Sequence, residues 1–133
     1  MKNLTQTYLI ETSPEEVFKA LTTPEIIEEW SGSSPVKMEA NVGTEFSLWG
    51  GDIHGKNIEI IPNRKIVQEW YGGNWSEPSI VTFELSSINE GTIVELEQKN
   101  IPDEAFEGIA KGWEDYYLGQ IQEMFAPDEG GEE

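Results

Sequence analysis

His54 is the only histidine in the chain, and it follows the turn Gly50-Gly51-Asp52 near a strand end. An imidazole titrating near neutrality can act as a general base, but only with an orienting partner and a substrate pocket. By strand parity His54 shares a side with Ile58 and Ile60, so a rim or surface position is the simpler reading. A metal site is not expected. One imidazole without any cysteine would need several carboxylates to converge on it. Carboxylates are abundant, so pairs such as Glu28/Glu29 and Glu95/Glu97 arise by chance. Glu95 and Glu97 alternate with apolar residues and should be solvated. Glu59 and Glu69 stand in apolar strands and are better candidates for buried or cavity-lining acids, with a hydrogen-bonded structural role the simpler one. Gly50-Gly51 and Gly72-Gly73 lack the spacing of a phosphate loop and precede no helix, which leaves them as turn glycines. No catalytic residue and no cofactor is assigned, and the expectation is a binding protein rather than an enzyme.

The aromatic residues carry more information. Trp30, Trp49, Trp70, Trp75 and Trp113, with Phe46, Phe83 and Tyr117, exceed what a tight core of this size needs. Trp75 differs from the rest. It lies in a polar loop, Gly72–Pro78, where an indole either anchors a partner or folds back over the sheet.

The chain that must position these residues has 133 residues and a net charge of −18, from 8 Lys and Arg against 26 Asp and Glu. One domain is expected over 1–126, followed by a flexible acidic tail over 127–133. Without cysteine, disulfide scaffolds and thiolate chemistry are excluded. With one arginine and seven scattered lysines, binding to nucleic acid or to an anionic membrane surface is not expected. No apolar run is long enough to span a membrane, and the first residues lack the apolar core of a signal peptide. A cytoplasmic location follows as the expectation.

Leu4–Thr12 reads as a first strand. Ser13-Pro14 with Glu16 reads as a capped helix start, and Thr23-Pro24-Glu25 starts a second short helix. Strands are then expected at Val36–Asn41, Val42–Trp49, Ile53–Ile61, Lys65–Tyr71, Ser79–Ser87 and Thr92–Lys99, their alternation marking one wet face. Over 103–126 the period changes. Phe106, Ile109, Ala110, Trp113, Tyr117, Ile121, Met124 and Phe125 recur at three- and four-residue steps, predicting one long amphipathic helix. The class is α+β: a curved antiparallel sheet of six to seven strands, two short helices and a C-terminal helix laid on the sheet.

This order resembles the START-like helix-grip superfamily, SRPBCC. Within it the chain resembles the branch of the C-terminal domain of the activator of the ninety-kilodalton heat-shock chaperone ATPase. The pieces that carry the resemblance are Ser13–Thr22, Pro24…Trp30, Gly43…Phe46, Gly50-Gly51…Gly55, Glu59-Ile60…Pro62…Trp70, Gly91-Thr92 and Ile101-Pro102…Gly112-Trp113…Tyr116-Tyr117…Phe125. The last run points to the activator branch. The resemblance implies contact with a heat-shock chaperone. It also implies a cavity for a small hydrophobic ligand between sheet and helix, lined by Trp30, Phe46, Leu48, Trp70, Phe83 and Trp113. Asn57, Glu59, Gln68 and Tyr117 would be its polar groups. The bulk of the tryptophans favours a small or collapsed cavity over a roomy one.

Overall fold

The computed structural model describes residues 1–72 and 75–127. Most of the expected acidic tail, and Gly73 and Asn74 of the expected loop, therefore lie outside the described residues. Strand β1 (Lys2–Ile10) leads into α1 (Pro14–Thr22) and α2 (Pro24–Ser31). The start of α1 is capped as its sequence demands: the Ser13 hydroxyl accepts from the Glu16 amide, and Pro14 fills the first turn. Gly32 ends α2 in the left-handed conformation, φ 72°. Strands β2 (Glu45–Leu48), β3 (Ile53–Ile61), β4 (Lys65–Gly72), β5 (Ser79–Ile88) and β6 (Gly91–Ile101) follow. All six form one antiparallel sheet in the order β1-β6-β5-β4-β3-β2.

The expected strand at Val36–Asn41 is reduced to a single bridge between Lys37 and Ser47. The strand expected from Val42 begins only at Glu45. The cause is local. Gly43 takes φ 89°, and the Thr44 hydroxyl donates to the carbonyl of Asn41, so the chain bonds to itself instead of a ladder.

The C-terminal helix is present with one interruption. A 3₁₀ turn at Asp103–Ala105 leads into α3 (Phe106–Tyr116), and α4 (Leu118–Phe125) continues beyond a non-helical Tyr117, φ −119° and ψ −98°. The break is built into the side chains. Gln120 Nε2 donates to the Asp115 carbonyl at 2.9 Å, replacing a lost backbone partner. At Gly119 a Cβ would stand 1.7 Å from the Glu114 carbonyl oxygen, so only glycine lets the chain close so tightly.

The inner face of the sheet, the two short helices and the α3–α4 pair enclose the core. Ile10, Val17, Leu21, Ile27, Ile66, Val81, Val94, Leu96, Leu118 and Ile121 are almost fully buried in it.

Candidate binding cleft

Two hydrogen-bonded racks hold the aromatic core. On β3 and β4, Trp70 Nε1 donates to Gln68 Oε1 at 2.6 Å, and Gln68 Nε2 donates to Asn57 Oδ1 at 2.8 Å. Asn57 Nδ2 in turn donates to the Glu39 carbonyl at 2.9 Å. On β5, β6 and α3, Trp113 Nε1 donates to Gln98 Oε1 at 2.8 Å, and Gln98 Nε2 donates to Ser79 Oγ at 3.0 Å. Ser79 Oγ donates to the Lys99 carbonyl at 2.6 Å. Each rack fixes an indole by its one polar atom and leaves no donor of its own unpaired in the core.

The indoles so fixed meet around one phenol. The ring of Tyr117 lies 4.6 Å from Trp113, 4.8 Å from Trp30, 5.7 Å from Trp70 and 6.0 Å from Phe83, centroid to centroid. Trp70 and Trp113 stack at 4.9 Å, and Phe46 lies 6.2 Å from Trp70. The space expected to form a cavity is therefore filled with rings along most of its length, as their bulk predicted.

Open space remains at one end. A cleft of about 190 Å³ lies between α3 and the start of β3. It is lined by Trp49 and Ile53 at the start of β3, by Trp70 of β4, by Gly108, Ile109, Gly112, Trp113 and Tyr116 of α3, and by Tyr117. Among the described residues no charged side chain lines it. Trp49 adopts φ 53°, a strained value for a bulky residue. It is pinned there by its amide donating to Ser33 Oγ at 2.7 Å and its indole N–H donating to the Ser31 carbonyl at 3.2 Å.

The Tyr117 hydroxyl is distinctive. The residue is only 4% exposed, and burial pushes its ionisation well above the usual tyrosine range, with no hydrogen bond contributing. Tyr117 is among the residues that line the cleft.

Of the residues expected to line a cavity, Trp70, Trp113 and Tyr117 do so, while Trp30, Phe46, Leu48 and Phe83 stand behind them in the filled core. Asn57 and Gln68 are buried in the first rack. Glu59 is corrected. A bulge between Asn57 and Glu59 shifts the register, and Glu59 turns outward to an ion pair with Lys65 at 3.5 Å. Glu69 is half-buried and lines an outer-face depression with His54 and Tyr71. His54 itself is exposed, stacked on Tyr71 at 5.7 Å, its Nδ1 2.9 Å from the Gly51 carbonyl. Trp75 folds back: its indole covers Gly72, where a Cβ would meet the ring at 3.3 Å. Gln98 and Ser79 escaped the sequence reading, although Gln98 continues the inward phase of Thr92, Val94 and Leu96. Gly108 and Gly112, one helical turn apart, were the legible sign of an open helix face.

A family model for "Activator of Hsp90 ATPase homolog 1-like protein" matches residues 11–126. The chain belongs to this family. The human activator of 90 kDa heat shock protein ATPase homolog 1 is 32% identical over 124 residues, 92% of this chain and 36% of that protein. The homologue of Dictyostelium discoideum is 38% identical over 96 residues, 70% of this chain and 25% of that protein. The chain thus spans about a third or less of the length of these curated relatives. Among solved structures, an HSP90 activator from Plasmodium falciparum superposes with a TM-score of 0.86 at 30% identity, covering 93% of this chain and 96% of that one. The fold is the helix grip expected from the resemblance.

Proposed function

We propose that this chain is a co-chaperone-like module that docks on an Hsp90-type chaperone and raises its ATP turnover, without itself acting on ATP. The observation that carries the reading is the whole-length superposition on the Plasmodium HSP90 activator, where this fold alone makes up nearly the entire matched chain. The filled interior agrees with it. A core packed with its own rings leaves the outside of the domain for recognition, and a net charge of −18 steers it toward a basic partner surface. A cytoplasmic location belongs to the same proposal; no helix among the described residues is long and apolar enough to cross a membrane. One face of the Trp75 indole folds back on Gly72, and the part of this half-exposed side chain that still faces outward is the candidate contact.

The test is a steady-state ATPase assay with an Hsp90-type chaperone, subtracting the rate that remains with a site-directed chaperone inhibitor. Stimulation that saturates, weakens as salt is raised and falls in Trp75→Ala is expected. An unchanged rate at saturating protein, with no complex by sedimentation, refutes docking.

A second reading, retention of a small apolar ligand, is favoured by one observation: the cleft beside α3 that no charged side chain lines among the described residues.

A further inference from the structure

We propose that the open edge of β1 takes up an extended, lysine- and arginine-rich segment of a partner protein, which adds to the six-stranded sheet as a further strand. The inference rests on the docking reading only for the basic character of the partner, and it names a surface that the partner would meet besides Trp75.

The two edges of the sheet are finished differently. β2 is four residues long, and the backbone of Lys37 bonds to Ser47 along its outer side. β1 is nine residues long and pairs with β6 alone. The Leu9 carbonyl accepts from Gln122 Nε2 at 3.0 Å, so the Leu9 backbone faces away from β6. Backbone direction alternates along an antiparallel strand, so the amides and carbonyls of Thr5 and Thr7 face the same way. Among the described residues, no other hydrogen bond reaches the backbone of these three residues from that side. Gln122 already makes, with a side-chain amide, the bond that a pairing strand would make with its backbone.

Nothing within the strand bars a neighbour. Proteins commonly blunt an open edge with lysine, proline or a bulge. Leu4 to Ile10 contains no charged residue and no proline, and its register with β6 is unbroken. Thr5, Thr7 and Leu9 are exposed.

Charge selects what can pair. On the outer face Thr5 stands opposite Glu97 and Thr7 opposite Glu95, while Glu95 stands opposite Glu84 of β5. The short threonines leave a depression of about 260 Å³ bordered by these carboxylates. On the helix side, Glu114 and Gln122 line both of two adjoining depressions, one beside Thr7 and Tyr8, the other reaching Glu11 and Glu123. The Tyr8 phenol registers this field: burial raises its ionisation most, and Glu114 and Asp115 raise it further. Lys99 stands 3.9 Å from Glu97 and Lys111 3.0 Å from Asp115, and Lys65, opposite Glu84, pairs with Glu59 instead. Glu11, Glu84, Glu95, Glu114 and Glu123 have no ion pair among the described residues.

Side chains of an added strand alternate between these two faces, and both alternations meet carboxylates. Strands lie about 4.8 Å apart, which puts Glu95 and Glu97 about 10 Å from the added backbone, where an extended arginine and a glutamate meet. A second copy of this chain is the wrong occupant, because it brings the same carboxylates and its own charge of −18 to the edge. The flanking acids thus repel like chains and admit a basic one.

A capped peptide of about nine residues, repeating arginine, threonine and lysine so that both faces carry charge, is long enough to span Thr5 to Leu9. It is titrated into the full chain at low salt. A counterpart N-methylated at every second residue keeps the charge but cannot complete the ladder, and a third peptide carries glutamate at the basic positions. Fluorescence anisotropy reads the affinity, and the NMR amide signals of Thr5, Thr7 and Leu9 read the place. The basic peptide should bind, shift those three amides and weaken as salt is raised. N-methylation should cost about tenfold or more, the worth of one or two net hydrogen bonds. The glutamate peptide should not bind. Glu95→Gln combined with Glu97→Gln should weaken binding about three- to tenfold, as the loss of two exposed ion pairs does, with the melting temperature unchanged. Thr7→Pro, which removes one outward amide from an edge strand, should weaken it as well. No binding of the basic peptide, equal binding of the N-methylated one, or shifts that miss β1 overturns strand addition. Equal binding of the glutamate peptide overturns the selection by charge. A dimer in sedimentation that shifts the same amides without peptide assigns the edge to a second copy and overturns the proposal. No chaperone enters these titrations, so their failure removes this surface and leaves the docking reading to its own ATPase assay.

Discussion

Replacing Gln98 by methionine isolates what the second rack contributes. The side chains are close in volume, so the packing of β6 beneath α3 should survive. The change removes the acceptor for the Trp113 indole N–H and the donor to Ser79 Oγ. Ser79 keeps its own bond to the Lys99 carbonyl and loses only one of its two partners. Trp113, only 2% exposed, has no water to replace Gln98. An orphaned buried donor costs about 1–3 kcal/mol, and removing the amide from the core offsets a small part, so a net loss of about 2 kcal/mol is expected. With a urea dependence of about 1.5 kcal/mol/M for a domain of this size, the unfolding midpoint should fall by about 1 M. Trp113→Phe breaks the same bond from the other side and leaves Gln98 Oε1 without its donor. The double variant removes both partners. It should therefore be more stable than the sum of the single losses predicts, by about 1–2 kcal/mol. Urea titrations followed by circular dichroism at a single wavelength give all four corners of the cycle. Additivity within about 0.5 kcal/mol would refute the claim that the rack acts as a hydrogen-bonded unit.

Gly108→Ala and Gly112→Ala should each raise stability by up to about 1 kcal/mol, because the added methyl enters open space and the helix loses a flexible residue; thermal melts decide it. Gly119→Ala and Gly55→Ala should have the opposite effect, on the order of 3 kcal/mol or more. In each an added Cβ would stand 1.7 Å from a backbone oxygen, and soluble yield with the urea midpoint reports the loss. Burial, then the carboxylates of Glu114 and Asp115, push the Tyr8 phenol up to about 12, and burial alone raises Tyr117. Both groups hold their protons longer in the folded chain than in the unfolded one. Stability from this source is complete below about pH 10 and lost as pH climbs from 10 toward 12. Melting temperatures across that window should fall, and the fall should shrink in Tyr8→Phe.

Much of this was readable from the residues. Ser13, Pro14 and Glu16 announce the start of α1, and the alternation of Thr92, Val94 and Leu96 fixes the inward face of β6. Such signals are local, and local rules suffice for them. The bulge that turns Glu59 outward is not local. It depends on how β3 must slide to pair with β4, which no single-strand pattern records. The interruption at Tyr117 is hidden for a related reason: the period of apolar residues runs straight through it, since a one-residue break hardly shifts the phase. The residues that close the break, Gly119 and Gln120, reveal their part only through the close approach to Glu114 and the bond to Asp115. The filled interior was foreseeable from tryptophan bulk. The cleft was less so, because it is defined by what Gly108 and Gly112 do not occupy.

The break at Tyr117 also divides the molecule into units that need not open together. The α4 segment is stitched to β1 through Gln122 Nε2, which donates to the Leu9 carbonyl at 3.0 Å, and buries Leu118 and Ile121. α3 is held by Gln6 Nε2 donating to the Ala110 carbonyl at 3.0 Å and by Trp113, its one buried residue, and it carries two helix-weakening glycines. Cooperativity along a continuous helix would tie the two segments to one opening event; an interruption lets the weaker one fray while the other stays docked. The amides of α3 should then exchange with deuterium through a low-energy, sub-global opening, while those of α4 wait for global unfolding.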